Sequence, residues 1–197
     1  MTTRRVNRKQ EILQTLAEQL EKNPGAPIRT AGLAKATGVS EAALYRHFPS
    51  KAKMFEALIQ FAEETVFSRL NKVHQEHKSV FIRCEALIHL MLTFADRNPG
   101  IVRVLMGDAI MGESEKLRVR VSQFFDRLET QIKQFLREGV MHKEISENTN
   151  IAVLANLMSA YVEGRINQFQ RSNFQQSPLN QSDRQWQLIL GLIQAEI

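Results

Sequence analysis

Apolar residues recur at spacings of three and four along almost the whole chain, and no stretch alternates apolar and polar positions between turn signals. The pattern predicts an all-α protein of about nine helices. The first is expected from about Asn7 to Lys22, with Ile12, Leu13, Leu16, Ala17 and Leu20 on one stripe. Asn23-Pro24-Gly25-Ala26-Pro27 stops it. Two short helices, Thr30 to Thr37 and Glu41 to Phe48, precede a longer one from Lys51 to Val73 that Ser50 caps. A polar stretch from His74 to Ser79 leads to a helix over Val80 to Arg97. Asn98-Pro99-Gly100 halts that helix, and a short one follows from Ile101 to about Met111. Glu113 to Arg137 is amphipathic with a charged outer face, a coiled-coil-like pattern that is short in repeat. Gly139 to Asn148 reads as a loop. Thr149 to Phe169, a polar linker from Gln170 to Ser182 and a last helix over Asp183 to Ala195 complete the chain.

Charge divides this helical array. Residues 1–53 hold ten Lys or Arg against four Glu, a balance of +6, while the whole chain carries +5. The remainder is therefore close to neutral, and the positive charge lies where a polyanion would be met. The expected organisation is a small basic module over residues 1–53 joined to a larger part over residues 54–197. One cysteine, Cys84, excludes an intrachain disulfide and a cysteine-cluster metal site, which fits a reducing cytoplasm. Cys84 lies among Phe81, Ile82, Leu87 and Ile88 and reads as a small core residue. The arginines near the start precede no apolar run of the signal-peptide kind, and no stretch approaches the ~18 apolar residues of a membrane span.

The segment TAGLAKATGVSEAALYRHFPSK, Thr30 to Lys51, has the parts of a helix-turn-helix spanning roughly residues 30–49. Thr30 is placed to cap the first helix and Ser40 the second. Gly38 supplies the left-handed residue of the turn, and Leu33, Ala34, Leu44 and Phe48 face inward. That leaves Ser40, Glu41, Ala42, Ala43, Tyr45, Arg46 and His47 on the outer face, where small side chains let base edges come close. Together with Arg29, Thr30 and Lys51 these form the expected DNA-binding set. Tyr45 and His47 can bond phosphate oxygens, and Lys51 lies at a helix start that also suits phosphate. Arg4, Arg5, Arg8 and Lys9 are read as a disordered arm. Gly32 costs about 1 kcal/mol relative to Ala within a helix, which points to close backbone packing there.

An N-terminal helix followed by a helix-turn-helix that ends in LYRHFPSK and runs into a long fourth helix resembles the TetR family. TGVSEAALYRHFPSK agrees with that family's pattern at Gly38, Val39, Ser40, Leu44, Tyr45, Phe48, Ser50 and Lys51. The resemblance implies a homodimer built by the last two helices and a C-terminal part of variable role. Across the whole chain it narrows to the nucleoid-occlusion members, on SEAALYRHFPSK, Arg97-Asn98-Pro99-Gly100 and Arg184-Gln185-Trp186. Those members bind chromosomal DNA as dimers and antagonise assembly of the tubulin-like division protein FtsZ. The implied partners are thus double-stranded DNA, the C-terminal tail of FtsZ and a second copy of the chain, with a location on the nucleoid in the cytoplasm.

For the second copy, the helices after Thr149 and Asp183 are apolar round much of their circumference, so both sides need cover. Leu154, Met158, Tyr161, Trp186, Leu188 and Leu192 are the expected interface. For FtsZ, the outer faces of the fourth and fifth helices offer Phe61, Thr65 and Arg69, then Leu90, Phe94, Arg97 and Asn98. An apolar stripe flanked by two arginines suits a short peptide carrying hydrophobic and acidic residues. No Gly-rich phosphate loop, no Gly-x-Ser-x-Gly elbow and no supported carboxylate pair is present, so no catalysis and no cofactor are expected. His74 and His77 have no third ligand in view and are read as a solvated helix end, and His89 as a core histidine. The competing function is a TetR-type repressor released from operator DNA by a small molecule, which needs a hollow apolar cavity. The large Phe81, Phe94, Phe124, Phe125 and Phe135 are expected to fill such a cavity, so no small-molecule ligand is anticipated.

Overall fold

The apolar spacing produces helices and nothing else among the described residues. The computed structural model describes the backbone of residues 2–195 and the side chains of residues 8–194. In chain order it contains α1 (Thr2–Lys22), α2 (Thr30–Ala36), α3 (Glu41–His47), α4 (Lys51–Glu76), α5 (Val80–Arg97) and α6 (Pro99–Leu105). A 3-10 turn at Asp108–Ile110 leads to α7 (Glu115–Met141), α8 (Ile151–Arg171) and α9 (Ser182–Ala195). The all-α expectation holds, and most corrections concern where helices stop.

Those corrections have local causes. α4 does not end at Val73, because the His74 ring stacks on Phe135 at 5.7 Å and its Nδ1 lies 3.7 Å from Glu138 Oε2. His74 is therefore a packed, half-buried residue and not a solvated end. Gly139 does not open a loop either. It sits within α7, where a Cβ would lie 2.9 Å from a Val80 methyl, and the helix closes beyond it through Lys143 at φ 61. The Glu144 N–H then donates back to the Gly139 carbonyl at 2.8 Å, which satisfies an end carbonyl. α6 starts at Pro99, since a proline at the first helical position loses no hydrogen bond, and ends before Gly107 at φ 86. The expected N-terminal arm is helical from Thr2. Arg8 pairs with Glu11 at 2.7 Å and Lys9 Nζ sits 5.6 Å from the centre of the Phe48 ring, while the side chains of Arg4 and Arg5 lie outside the described ones.

The chain forms two units. The first comprises Met1–Ala62 and Asn98–Val121. Charge and motif alone place a boundary near residue 53, but the return segment brings α6 back against α1. Ile12, Leu16 and Leu20 of α1 are fully buried, as are Leu33, Leu44 and Met54, with Val102 and Val104 of α6. Each such side chain contributes roughly 1.5–3 kcal/mol on burial. Two features hold α6 to α1. Gly100 carries no side chain where a Cβ would lie 1.9 Å from the Ala17 carbonyl oxygen. Arg103, only 2% exposed, donates to the Leu20 carbonyl at 2.9 Å and the Asn23 carbonyl at 2.7 Å, and pairs with Asp108 at 2.5 Å.

The second unit comprises Glu63–Arg97 and Ser122–Ile197, with α5 packed on α8 and α9. Its core includes Leu87, Met91, Phe124, Leu128, Ile132, Phe135, Met158, Val162 and Trp186. Phe67 meets Phe124 edge-on at 5.5 Å, and the Arg127 guanidinium lies 3.9 Å over the Phe67 ring. Buried Arg83 pairs with Glu138 and donates to the His77 carbonyl at 2.6 Å. Cys84 is a core residue, and burial, opposed by Arg83 and assisted by Glu144, pushes its thiol up to about 12. It is therefore no nucleophile near neutral pH. His89 is exposed and not in the core, because its position on α5 falls off the stripe of Cys84, Leu87, Ile88 and Met91.

Gly32 also departs from expectation, since it is exposed and a Cβ there would meet nothing within 4 Å. No close packing justifies it. Gly32→Ala is expected to raise the stability of the protein by about 0.5–1 kcal/mol, read from the denaturation midpoint. A loss of stability would show that Gly32 has a conformational role.

Candidate nucleic-acid interface

The α2–turn–α3 segment is built by local hydrogen bonding around one glycine. α2 ends at Thr37, whose hydroxyl donates to the Leu33 carbonyl at 2.9 Å. Gly38 follows at φ 65, a conformation that disfavours residues with a Cβ. It lets Val39 N–H return to the Ala34 carbonyl at 3.0 Å, and the chain turns. Ser40, extended at φ −74 and ψ 154, accepts the Ala43 N–H on its hydroxyl at 3.2 Å and starts α3. Leu33, Ala34, Leu44 and Phe48 are buried beneath.

The outward residues present a polar surface with little bulk at its start. Arg29, Ser40, Glu41, Ala42, Tyr45 and Arg46 are exposed, while Thr30, Ala43 and His47 are half-buried. Thr30 does not cap α2, because Arg29 occupies the cap position and no side chain bonds there. The Thr30 hydroxyl instead donates to Glu41 Oε2 at 3.0 Å, and the Tyr45 hydroxyl reaches Thr30 Oγ1 at 3.5 Å. Thr30 thus ties α2 to the exposed face of α3. Ser50 starts α4 by accepting the Lys53 N–H at 3.2 Å, and Lys51 is the first residue of that helix. Its ammonium lies 2.5 Å from Glu113 Oε1, a partner 62 positions along the sequence that no local pattern indicates.

Other residues singled out from the sequence divide by burial. On α4, Phe61 is 47% exposed, Arg69 is exposed and Thr65 half-buried. On α5, Arg97 is exposed and Leu90 half-buried, with Asn98 half-buried just beyond the helix. Phe94 is 3% exposed, so its ring belongs to the second unit's own interior and offers no surface to a peptide. In α8 and α9, Leu154, Met158 and Trp186 are likewise enclosed by their own chain. Tyr161 is half-buried and donates to Gln185 Oε1 at 2.9 Å. Leu188 and Leu192 are 72% and 59% exposed. They are matched on α8 by exposed Val153 and Leu157, two residues that sequence reasoning missed. The signal was available: an α8 apolar on two faces has one stripe through residues 154, 158 and 162 and another through residues 153 and 157.

Among the described residues, no three His, Cys, Asp or Glu side chains gather as a metal ion would require. No described helix is long and apolar enough to cross a membrane.

Comparison with known proteins agrees with this architecture. A model of bacterial regulatory proteins of the tetR family matches residues 12–58, and one of the tetracyclin repressor-like, C-terminal domain, of SlmA-like type, matches residues 78–194. The nucleoid occlusion factor SlmA of Shewanella frigidimarina is 53% identical over 185 residues, 94% of this chain and 94% of that protein. That of Marinobacter nauticus is 54% identical over 189 residues, 96% of this chain and 97% of its own length. Among solved structures, the TetR family transcriptional regulator PfmR from Thermus thermophilus superposes with a TM-score of 0.76 at 22% identity, covering 91% of this chain and 96% of its own. The regulator FadR from Bacillus subtilis, in complex with stearoyl-CoA, gives 0.73 at 14% identity, covering 91% of this chain and 96% of its own. These two structures speak to the fold. With more than half of its aligned residues identical to those of the two nucleoid occlusion factors across nearly the full length of each, this chain belongs to the nucleoid occlusion factor SlmA family, within the TetR-type DNA-binding regulators.

Proposed function

We propose that this protein binds two-fold-symmetric chromosomal DNA sites as a homodimer and, from the nucleoid in the cytoplasm, antagonises FtsZ assembly. The observation that carries the reading is the identity above 50% to nucleoid occlusion factors over 94% of the chain. DNA contact is assigned to residues 1–53, through Arg29, Thr30, Ser40, Glu41, Ala42, Ala43, Tyr45, Arg46, His47 and Lys51. The capped α3, its small first-turn residues and the basic balance of this segment support that assignment. Two copies of α3 in a dimer are expected about 34 Å apart, which calls for a pseudo-palindromic site.

Dimerisation and partner contact are assigned to residues 54–197. Leu188, Leu192, Val153 and Leu157 form the dimer contact, with Tyr161 at its edge, because large apolar side chains this exposed need cover. Leu188→Glu is expected to weaken dimerisation at least 100-fold, about 3 kcal/mol, while leaving a folded monomer. Sedimentation that still gives a dimer removes Leu188 from the interface. An equivalent change at buried Trp186 is expected to unfold the chain instead.

The tail of FtsZ is assigned to the parts of α4 and α5 in the second unit, through exposed Arg69 and Arg97 and half-buried Thr65 and Leu90. Arg69→Asp and Arg97→Asp are expected to abolish co-sedimentation with FtsZ polymers in the presence of operator DNA. Operator affinity should stay within about threefold, ~0.6 kcal/mol. Wild-type co-sedimentation by both variants rejects this surface. The stearoyl-CoA held by the Bacillus subtilis regulator belongs to a protein 14% identical, a likeness of fold alone, and lends no support to ligand-controlled release.

A further inference from the structure

Lys51 stands where a DNA phosphate is expected, at the start of a 26-residue helix directly after α3. The free N–H groups there favour any anion. In this structure the anion is the protein's own. Glu113 Oε1 lies 2.5 Å from Lys51 Nζ, and the two side chains keep 17% and 32% of their exposure. Glu113 sits on the turn that follows the 3-10 segment, after Gly112 at φ 78, and its N–H donates to the Ile110 carbonyl at 3.0 Å. The same turn is tied further back by Asp108 to Arg103, whose side chain is 2% exposed and beyond the reach of a polyanion. Of the two ties, only the one at Lys51 lies where DNA can compete.

We propose that Glu113 occupies, in the DNA-free protein, the place of a backbone phosphate at Lys51, and that DNA displaces it and releases the end of the turn, residues 111–114. The inference rests on the DNA-binding reading and adds a device to it. A carboxylate competing for the same ammonium lowers affinity for every sequence alike, since phosphate contacts carry no base information. Salt screens the internal pair as well, so the competition fades as ionic strength rises. Release of Glu113 also gives DNA binding a mechanical consequence within the first unit, at the turn leading into α7. Glu113 acts through Lys51 and is in this sense a positioning residue.

The test is a binding cycle on the full chain with a mixed-sequence duplex of about 30 base pairs, followed by anisotropy from about 50 mM salt upward. Glu113→Gln is expected to bind about two- to fivefold tighter than wild type at low salt and to converge with it at high salt. In a Lys51→Met background, Glu113→Gln is expected to change nothing. No gain in Glu113→Gln, or weaker binding, overturns the proposal. So does a gain that persists without Lys51, since that is general repulsion between Glu113 and DNA. If Glu113→Gln does not fold, hydrogen exchange on the wild type decides: the Glu113 amide is expected to exchange faster once DNA is bound, and unchanged or greater protection overturns the idea. A wild type that fails to bind the duplex removes the DNA-binding reading and this inference with it. Wild-type binding without the Gln effect removes the inference alone.

Discussion

Gly100→Ala is expected to destabilise the protein by about 3 kcal/mol, lowering the melting temperature by about 10 °C for a chain of this size. On an isolated helix the same change would stabilise by about 1 kcal/mol, because alanine has the better helix propensity. Packing reverses the sign. A Cβ on Gly100 would stand 1.9 Å from the Ala17 carbonyl oxygen and 2.7 Å from the Ala17 carbonyl carbon, both main-chain atoms that no rotamer change can move. α6 would have to lift away from α1, and the apolar contact of Val102 and Val104 with it. Thermal unfolding followed by circular dichroism checks this. A melting temperature at or above that of wild type would show that the two helices do not approach as described. Beside Gly32→Ala, expected to stabilise, the pair separates a glycine required by its neighbours from one that is not.

Removing the Arg103 side chain is the second large effect. Arg103→Met keeps most of the volume and apolar stem but loses every donor, and about 3 kcal/mol of stability is expected to go. Arg103 Nη1 serves the Leu20 and Asn23 carbonyls, at and just beyond the last turn of α1, so a side chain from α6 completes the end of a helix about 80 residues earlier. Without it the carbonyl of buried Leu20 loses this donor, while the Asn23 carbonyl keeps the Ala26 N–H at 3.1 Å. Asp108 keeps 30% of its side-chain exposure and can hydrate, so it contributes the smaller part. Arg103→Lys is expected to recover less than half of the loss, since one ammonium cannot reproduce the guanidinium fork. Denaturant unfolding measures both variants. Stability within about 1 kcal/mol of wild type in Arg103→Met would mean the α1 carbonyls find other donors. Combined with Gly100→Ala the losses should not add, because both act on one joint.

The local instructions were legible in the sequence because their physics is local. Residues three and four apart share a helix face, so the stripe Ile12, Leu16, Leu20 predicts both α1 and its buried side. A glycine between two short apolar segments, then a serine three residues before an amide it can accept, predicts the turn at Gly38 and the cap at Ser40. The motif also places Leu44 and Phe48 inward and Tyr45 and Arg46 outward, as found. Helix ends were less legible, because His74 and Gly139 look like terminators until Phe135 and Val80 are packed against them.

What only the tertiary structure decided depends on partners far apart in the chain. An apolar residue on a helix that is apolar on two faces can turn either way, and sequence spacing treats both faces alike. Tertiary packing enclosed Trp186, Met158 and Phe94 and left Leu188, Val153 and Phe61 exposed, because one face of each helix found neighbours within its unit and the other did not. It likewise gave the Arg103 guanidinium the end of α1, and joined α6 to the N-terminal unit across a boundary that charge alone had drawn near residue 53. Lys51 was recognisable from the motif as a phosphate ligand, but its pairing with Glu113 arises only when the turn before α7 is folded back beside α4. Backbone preference acts over a few residues and was written in the sequence. Contacts between segments far apart in the chain act through space, and the fold alone determined them.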